Sequence, residues 1–297
     1  MREFDYQLCD VFTSKRLQGN QLAVVLDAAA VTADEMQAIA REMNLSETTF
    51  VHRRDKNIER ARGVRVRIFT TQEELPFAGH PTLGTAATIR MALPGYADAE
   101  KIVLDLNAGQ VAVTFLAEAN AEGDATFGEM MQLDPVFGSV HDTEVIARLL
   151  GLQTEDLIEQ SPQTVSTGIP FCITVLRSVD ALARLRVDAA ASVNYLRNSD
   201  AKFFYTLAPE GPGMWRARMQ FYGGEDPATG SAAGCAISYL VRRGLCAPRE
   251  RLHLRQGIEI KRPSDLYISA NFENGKVSEV RVAGSTVPVA KGQLFLE

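Results

Sequence analysis

Glu47, His80 and Asp226 are the ionisable residues that stand where the chain breaks rather than along a helix face. Glu47 lies in LSETTFV, directly after a helix terminator and at the head of a β-branched, aromatic run, a place from which a carboxylate can be aimed into a cleft. His80 lies in GHPTLGTAA, residues 79–87, and Asp226 in EDPATGSAA, residues 225–233. A carboxylate and an imidazole held beside a ligand are the usual means of moving a proton. Each also has a plain alternative: a surface ion pair for Glu47, a backbone hydrogen bond for His80, a turn start for Asp226. Ser231 could donate to a ligand carboxylate, cap its helix, or do both.

The elements that must position these groups form a pattern used twice. A shift of 146 residues lays Pro227 on Pro81, Gly230 on Gly84, Ser231 on Thr85 and Asp226 on His80. In both copies Pro and Gly break the chain, a hydroxyl residue follows where an N-cap would stand, and a small-residue run continues at helical length. The N–H groups at a helix start have no intrahelical partner and carry the positive end of the dipole, so a carboxylate or phosphate is their natural ligand. Alternating strands precede both loops, VRVRIF from Val64 and WRARMQF from Trp215. A weaker echo pairs IAREMNL from Ile39 with IARLLGL from Ile146. Similar halves imply a duplicated domain, with a ligand site where the copies face each other.

Composition narrows the function classes. In 297 residues, 46% hydrophobic and 23% charged, there is ample core for two domains of a globular protein. A net charge of -6 argues against a broad nucleic-acid surface, although RRDKNIERARGVRVR, residues 53–67, could form a local basic patch. Cys9, Cys172, Cys235 and Cys246 form no CxxC pair, so a structural zinc is not expected. The first residues lack the apolar core of a secretory leader, and no run of about 18 apolar residues occurs. The expected setting is the cytoplasm, with no membrane partner.

In chain order, FDYQLCDVFT and LAVVLD read as strands around a Gly19–Asn20 turn. Thr32 and Glu35 have capping-box spacing ahead of a helix ended by Asn44. IVLDLNAGQVAVTF reads as a hairpin turning at residues 107–109. The acidic stretch that follows supplies a boundary, which gives domains over 1–122 and 128–283. The last strand, about 284–297, has no place in a simple split and is expected to return to the first domain's sheet.

NLSETTFV, LPFAGHPTLGTA and GGEDPATGSA, in this order and spacing, resemble the signature segments of the phenazine biosynthesis PhzF-like family, and CDVFTSKRLQGNQLAVVLDA resembles its first hairpin. The resemblance spans nearly the whole chain. It implies an α+β fold of two similar diaminopimelate-epimerase-like domains, each a curved mixed sheet or barrel around a central helix, and suggests a homodimer. It further implies a cofactor-independent isomerase of a small carboxylate-bearing substrate, similar to trans-2,3-dihydro-3-hydroxyanthranilate isomerase. Glu47 matches the proton-shuttling glutamate, while Ser46, Gly79, His80, Asp226, Gly230 and Ser231 match the substrate-binding positions. No metal and no organic cofactor is implied. A protonated His80 and the helix dipoles would offset negative charge developing on the substrate. Related racemases use one cysteine per domain at these helix starts; Ala78, Gly79, Asp226 and Pro227 stand there instead, and Cys235 falls inside the second helix. Another enzyme on this fold, an epimerase or a hydrolase, and a non-enzymatic binding or interaction module are the alternatives.

Overall fold

The structure, a computed structural model, describes residues 1–117, 123–221 and 224–297. Two compact units divide it: Met1–Met131 with Ala283–Glu297, and Gln132–Val282. Residue 122, the expected end of the first domain, lies outside the described residues, as does Gly223 of the second loop motif.

The first unit contains β1 (Arg2–Val11), β2 (Asn20–Val25), α1 (Ala33–Met43), β3 (Thr48–His52), α2 (Lys56–Arg62), β4 (Val64–Phe69), β5 (Glu74–Leu75), α3 (Gly79–Ala92), β6 (Lys101–Leu106), β7 (Gly109–Phe115) and β8 (Thr126–Met131). Thr32 and Glu35 close a reciprocal capping box at the start of α1, and Asn44 ends it in the left-handed region at φ 51°. Its buried face, Met36, Ile39 and Ala40, packs on Phe4, Val25, Phe50 and Phe69.

The second unit contains β9 (Val136–Val140), α4 (Thr143–Leu149), β10 (Gln163–Ser166), β11 (Pro170–Val175), α5 (Val179–Arg184), α6 (Ala189–Arg197), β12 (Phe203–Gly211), β13 (Met214–Phe221), β14 (Gly224–Asp226), α7 (Gly230–Arg242), β15 (Leu252–Gln256) and β16 (Ser264–Glu273). The long β17 (Lys276–Leu296) follows a turn in which Asn274 and Gly275 both take positive φ, 53° and 77°. Its latter part belongs to the first unit and pairs antiparallel with β1, from Val11 on Thr286 to Arg2 on Leu296.

Strand pairing follows the same rule in both units. In the first, β17, β1, β2, β3, β4, β6, β7 and β8 are joined in that order; the β2–β3 and β4–β6 contacts are parallel, the rest antiparallel, and β5 folds back on β4. In the second, β9, β10, β11, β12, β13, β15 and β16 repeat the sequence, parallel at β11–β12 and β13–β15, with β14 folded back on β13. Each wall curves around one helix. Every residue from 79 to 89 of α3 and from 230 to 241 of α7 is buried, and both segments are built largely of Gly, Ala, Ser and Thr. Small side chains are what permit a helix to be enclosed by strands: a Cβ on Gly84 would stand 2.6 Å from Val11 Cγ2 and 2.7 Å from Leu22 Cδ2. Among the described residues no helix is long and apolar enough to cross a membrane.

The structural register of the repeat differs from the 146-residue shift expected from the loop strings. Ile68 opposes Leu75 and Phe69 opposes Glu74 in the first unit; Met219 opposes Asp226 and Gln220 opposes Glu225 in the second. The helices begin at Gly79 and Gly230. Glu74 to Glu225 and Gly79 to Gly230 are both shifts of 151 residues. Pro81, expected to lie ahead of the helix, is instead in the first turn of α3, where a missing N–H has no intrahelical acceptor to lose. His80 therefore corresponds to Ser231, the second residue of each helix, and Asp226 corresponds to Leu75.

Candidate active site

Within the first unit, the turn after α1 brings Glu47 to the residue before β3, and the start of α3 brings His80 beside it. Glu47 Oε2 and His80 Nε2 are 3.5 Å apart, with side-chain exposures of 16% and 5%. The pair stands at the outer edge of hydrogen-bonding distance and would have to close by about 0.6–0.8 Å to make a strong contact. Asn20 Nδ2 approaches the other ring nitrogen, Nδ1, at 3.3 Å.

Burial pushes His80 down to about 3, against the opposing effect of a backbone hydrogen bond with Gln21. The carboxylate at 3.5 Å favours the imidazolium, so the two influences act in opposite directions. Burial prevails: the ring is fully enclosed, and the contact to Glu47 is too long to restore the lost hydration of a cation. His80 is thus neutral near pH 7, not the protonated group expected from the sequence.

Gly79 is the first residue of α3 and is buried; Ser46, one residue before Glu47, is exposed. Thr85, expected at the N-cap, lies a turn and a half inside α3, where its hydroxyl meets that of Thr49 at 2.8 Å and ties the helix to the strand that follows Glu47. The true N-cap is Ala78, which offers no side-chain cap.

In the second unit, β14 ends on Asp226, and α7 begins with Gly230 and Ser231. Ser231 is not the N-cap either; that position is Thr229, whose side chain does not cap the helix. Its hydroxyl donates to Asp226 Oδ2 at 2.6 Å and accepts from Gln256 Nε2 at 3.0 Å. Gln256 is fully buried and also binds the Asp226 carbonyl (2.8 Å), the Thr229 N–H (3.2 Å) and the Tyr205 hydroxyl (2.8 Å). Gln132 anchors the helix start from the other side: Nε2 donates to the Gly230 carbonyl at 2.9 Å and Oε1 accepts from Thr167 at 2.7 Å. Sequence reasoning missed Asn20, Gln132, Thr229 and Gln256. They are neutral amides and a hydroxyl, and what gives them a role is a partner distant in sequence.

Both central helices therefore start without a side-chain cap, and His80 and Ser231 occupy the second position in each. Such ends leave N–H groups directed outward for an anion. Cys235, by contrast, is enclosed in α7; burial pushes its thiol up to about 11, and Thr167 Oγ1 stands 3.5 Å away. A thiol held protonated is a poor base or nucleophile. Among the described residues no cluster of three or more His, Cys, Asp or Glu side chains has the geometry to hold a metal ion.

A family model described as phenazine biosynthesis-like protein, PhzC-PhzF, matches residues 9–292. The chain belongs to the PhzF family. It is 35% identical to the trans-2,3-dihydro-3-hydroxyanthranilate isomerase of Pseudomonas aeruginosa, over 98% of this chain and 99% of that protein. It is 36% identical to an uncharacterized isomerase of Mesorhizobium japonicum, with full coverage of both. Among solved structures, a predicted epimerase from Pseudomonas aeruginosa aligns with TM-score 0.84 at 34% identity over 99% of this chain and 100% of the other. A probable proline racemase from Agrobacterium radiobacter aligns with TM-score 0.67 at 9% identity, over 99% of this chain and 93% of that chain, and so shares the fold. This PhzF-family chain is an isomerase with the diaminopimelate-epimerase-like fold, as its sequence motifs imply.

One expectation for this PhzF-family protein follows from α7. A Cβ on Gly234 would collide with Gln132 Oε1. Gly234→Ala should therefore push Gln132 off the Gly230 carbonyl and lower stability by about 1–3 kcal/mol, the usual cost of forced overpacking. Thermal unfolding of the variant, compared with Gly211→Ala as a control for a glycine with open space around its Cβ and no positive φ, measures it.

Proposed function

We propose that this protein moves a proton between two carbons of a small cyclic carboxylate, similar to trans-2,3-dihydro-3-hydroxyanthranilate, without a cofactor, and that Glu47 carries the proton. The observation behind this reading is the Glu47–His80 pair, a largely buried carboxylate beside an enclosed neutral imidazole at 3.5 Å. In the forward step, the C–H bond at the donor carbon breaks and its proton passes to a Glu47 oxygen. The electron pair shifts through the adjacent double bond. The Glu47 carboxyl, after its proton has exchanged with solvent, then delivers a proton to form a new C–H bond at the acceptor carbon and returns to the carboxylate, so nothing is consumed. A base held close to both carbons can take a proton at one and give one at the other.

The neutral His80 ring stands beside Glu47 and presents its Nε2 edge to polar groups of the substrate, with the contact closing on binding. Asp226, Gly79, Gly230 and Ser231 are the proposed substrate-binding groups, the uncapped starts of α3 and α7 being suited to its carboxylate. Ser46, exposed and next to Glu47, is a further proposed substrate-binding group. The four free cysteines accord with a cytoplasmic setting.

The test is incubation of the protein with trans-2,3-dihydro-3-hydroxyanthranilate in deuterated water, followed by mass spectrometry of the product. Isomerised product carrying solvent deuterium at one carbon is the expected result. Unchanged substrate with no deuterium uptake would reject this substrate class, and release of a hydrolysis product would favour the hydrolase alternative.

A further inference from the structure

The basic stretch 53–67 serves no purpose in the proton transfer, and its charges are distributed unevenly. Arg67 is paired with Glu74, and Arg54 with Asp105 at 2.8 Å; Arg62 comes within 3.8 Å of the same Asp105. Arg53 binds Glu59 at 3.1 Å. Lys56 and Arg60, on α2, make no ion pair among the described residues, and neither does Lys101 at the start of β6. These three exposed cations and Arg53 line one cleft in the first unit, with a volume of about 530 Å³.

The cleft has a fixed floor. Glu59, its one acidic lining residue, is buried and already accepts from Arg53 Nε, from the Arg54 N–H at 2.9 Å and from the Tyr96 hydroxyl at 2.8 Å. Its charge is thereby engaged from below. Gly63 makes this packing possible: at φ 84°, a Cβ there would strike the Val103 carbonyl, so only glycine lets the chain leave α2 this close to β6. Four cations against one saturated carboxylate leave a local excess of positive charge on a protein whose net charge is -6.

We infer that this cleft is a second ligand site, for a small organic molecule bearing two or more phosphate groups. Two guanidinium forks and two ammonium groups offer more donors than a single carboxylate can use, in the combination that grips phosphate oxygens. The volume falls in the range of roughly 300–1,000 Å³ usual for small-molecule sites, and the acidic remainder of the protein disfavours a nucleic acid. The Tyr96 ring, with the Arg53 guanidinium 5.8 Å from its centroid, gives a flat wall for the organic part. The inference is independent of the proton-transfer reading, since Glu47 and His80 are not among the lining residues.

Isothermal titration calorimetry of the full chain with inorganic pyrophosphate, and with inorganic phosphate for comparison, tests it. The expected result is saturable one-to-one binding of pyrophosphate, at least tenfold tighter than phosphate and weakened by added salt. The double variant Lys56→Ser with Lys101→Ser should weaken it at least tenfold, as should Arg60→Ser, while Ser231→Ala binds like wild type. The residues changed in the cleft are exposed, so folding is not at stake. Absence of saturation at low salt would overturn the inference, as would equal binding by the double variant. Loss confined to Ser231→Ala would place the anion at α7 and overturn it too.

Discussion

Glu47→Gln should lower turnover of the isomerised substrate by about 100- to 10,000-fold, the range credited to a positioned acid/base group, while substrate affinity changes little. Glutamine keeps the size of the side chain and can still bond His80, but it cannot accept a proton at neutral pH. Binding and chemistry therefore separate: kcat falls, and the dissociation constant measured by titration stays within a few fold. Cys235→Ala is the matching control. Its thiol is enclosed, protonated and bonded to Thr167, so the rate should stay near wild type. Solvent deuterium incorporation into product decides the matter for wild type and both variants. Full exchange in Glu47→Gln, or its loss in Cys235→Ala, would return the chemistry to a thiol.

Much of the frame was legible because it is written in local patterns. The capping box of Thr32 and Glu35, the αL terminator Asn44 and the alternation of residues 64–69 each obey a rule that needs only neighbouring residues. Glu47 and His80 were legible as separate candidates for the same reason: both sit beside chain breaks. The register of the duplication was not. The strings PTLGT and PATGS share proline, glycine and a hydroxyl, but one lies within α3 and the other crosses the start of α7, because proline is tolerated in a first turn. The better marker was the Arg67–Glu74 spacing, which recurs as Arg218–Glu225 at the 151-residue shift. An arginine and a glutamate seven residues apart look like ordinary surface charge until the hairpin of β4 with β5, or β13 with β14, lays one across from the other. The charge state of His80 was illegible for a related reason: it depends on enclosure by residues far along the chain.

Arg218→Met should destabilise the fold by about 3–5 kcal/mol, the cost of leaving one member of a buried ion pair alone. Arg218 and Glu225 have side-chain exposures of 4% and 6% and meet through two parallel bonds, Nε to Oε1 at 2.9 Å and Nη2 to Oε2 at 2.6 Å. Arg218 Nη1 also donates to the Leu182 carbonyl at 3.0 Å, so its loss strips the end of α5 as well. The equivalent Arg67–Glu74 pair is more exposed, at 22% and 25%, and Arg67→Met should cost only about 1–2 kcal/mol because water replaces part of what is lost. The pH dependence distinguishes the mechanism. Burial raises the Glu225 carboxyl, but hydrogen bonds from Arg218 and Gln220 outweigh it and hold the group below its usual range. Its contribution in wild type is therefore complete above the unfolded value of about 4.3 and is lost as pH falls through the lower folded value. Without Arg218, burial acts unopposed by that partner, so protonation of Glu225 favours the folded state. The gap in stability between wild type and Arg218→Met should narrow as pH is lowered from 7 toward 5, and Arg218→Met with Glu225→Gln should recover most of it. Because Glu225 adjoins Asp226 on β14, the single variant should also displace Asp226 and weaken substrate binding at temperatures where it remains folded. Denaturant titrations of wild type, the single and the double variant at pH 7 and pH 5 measure these differences, and a gap independent of pH would rule out the buried charge as their source.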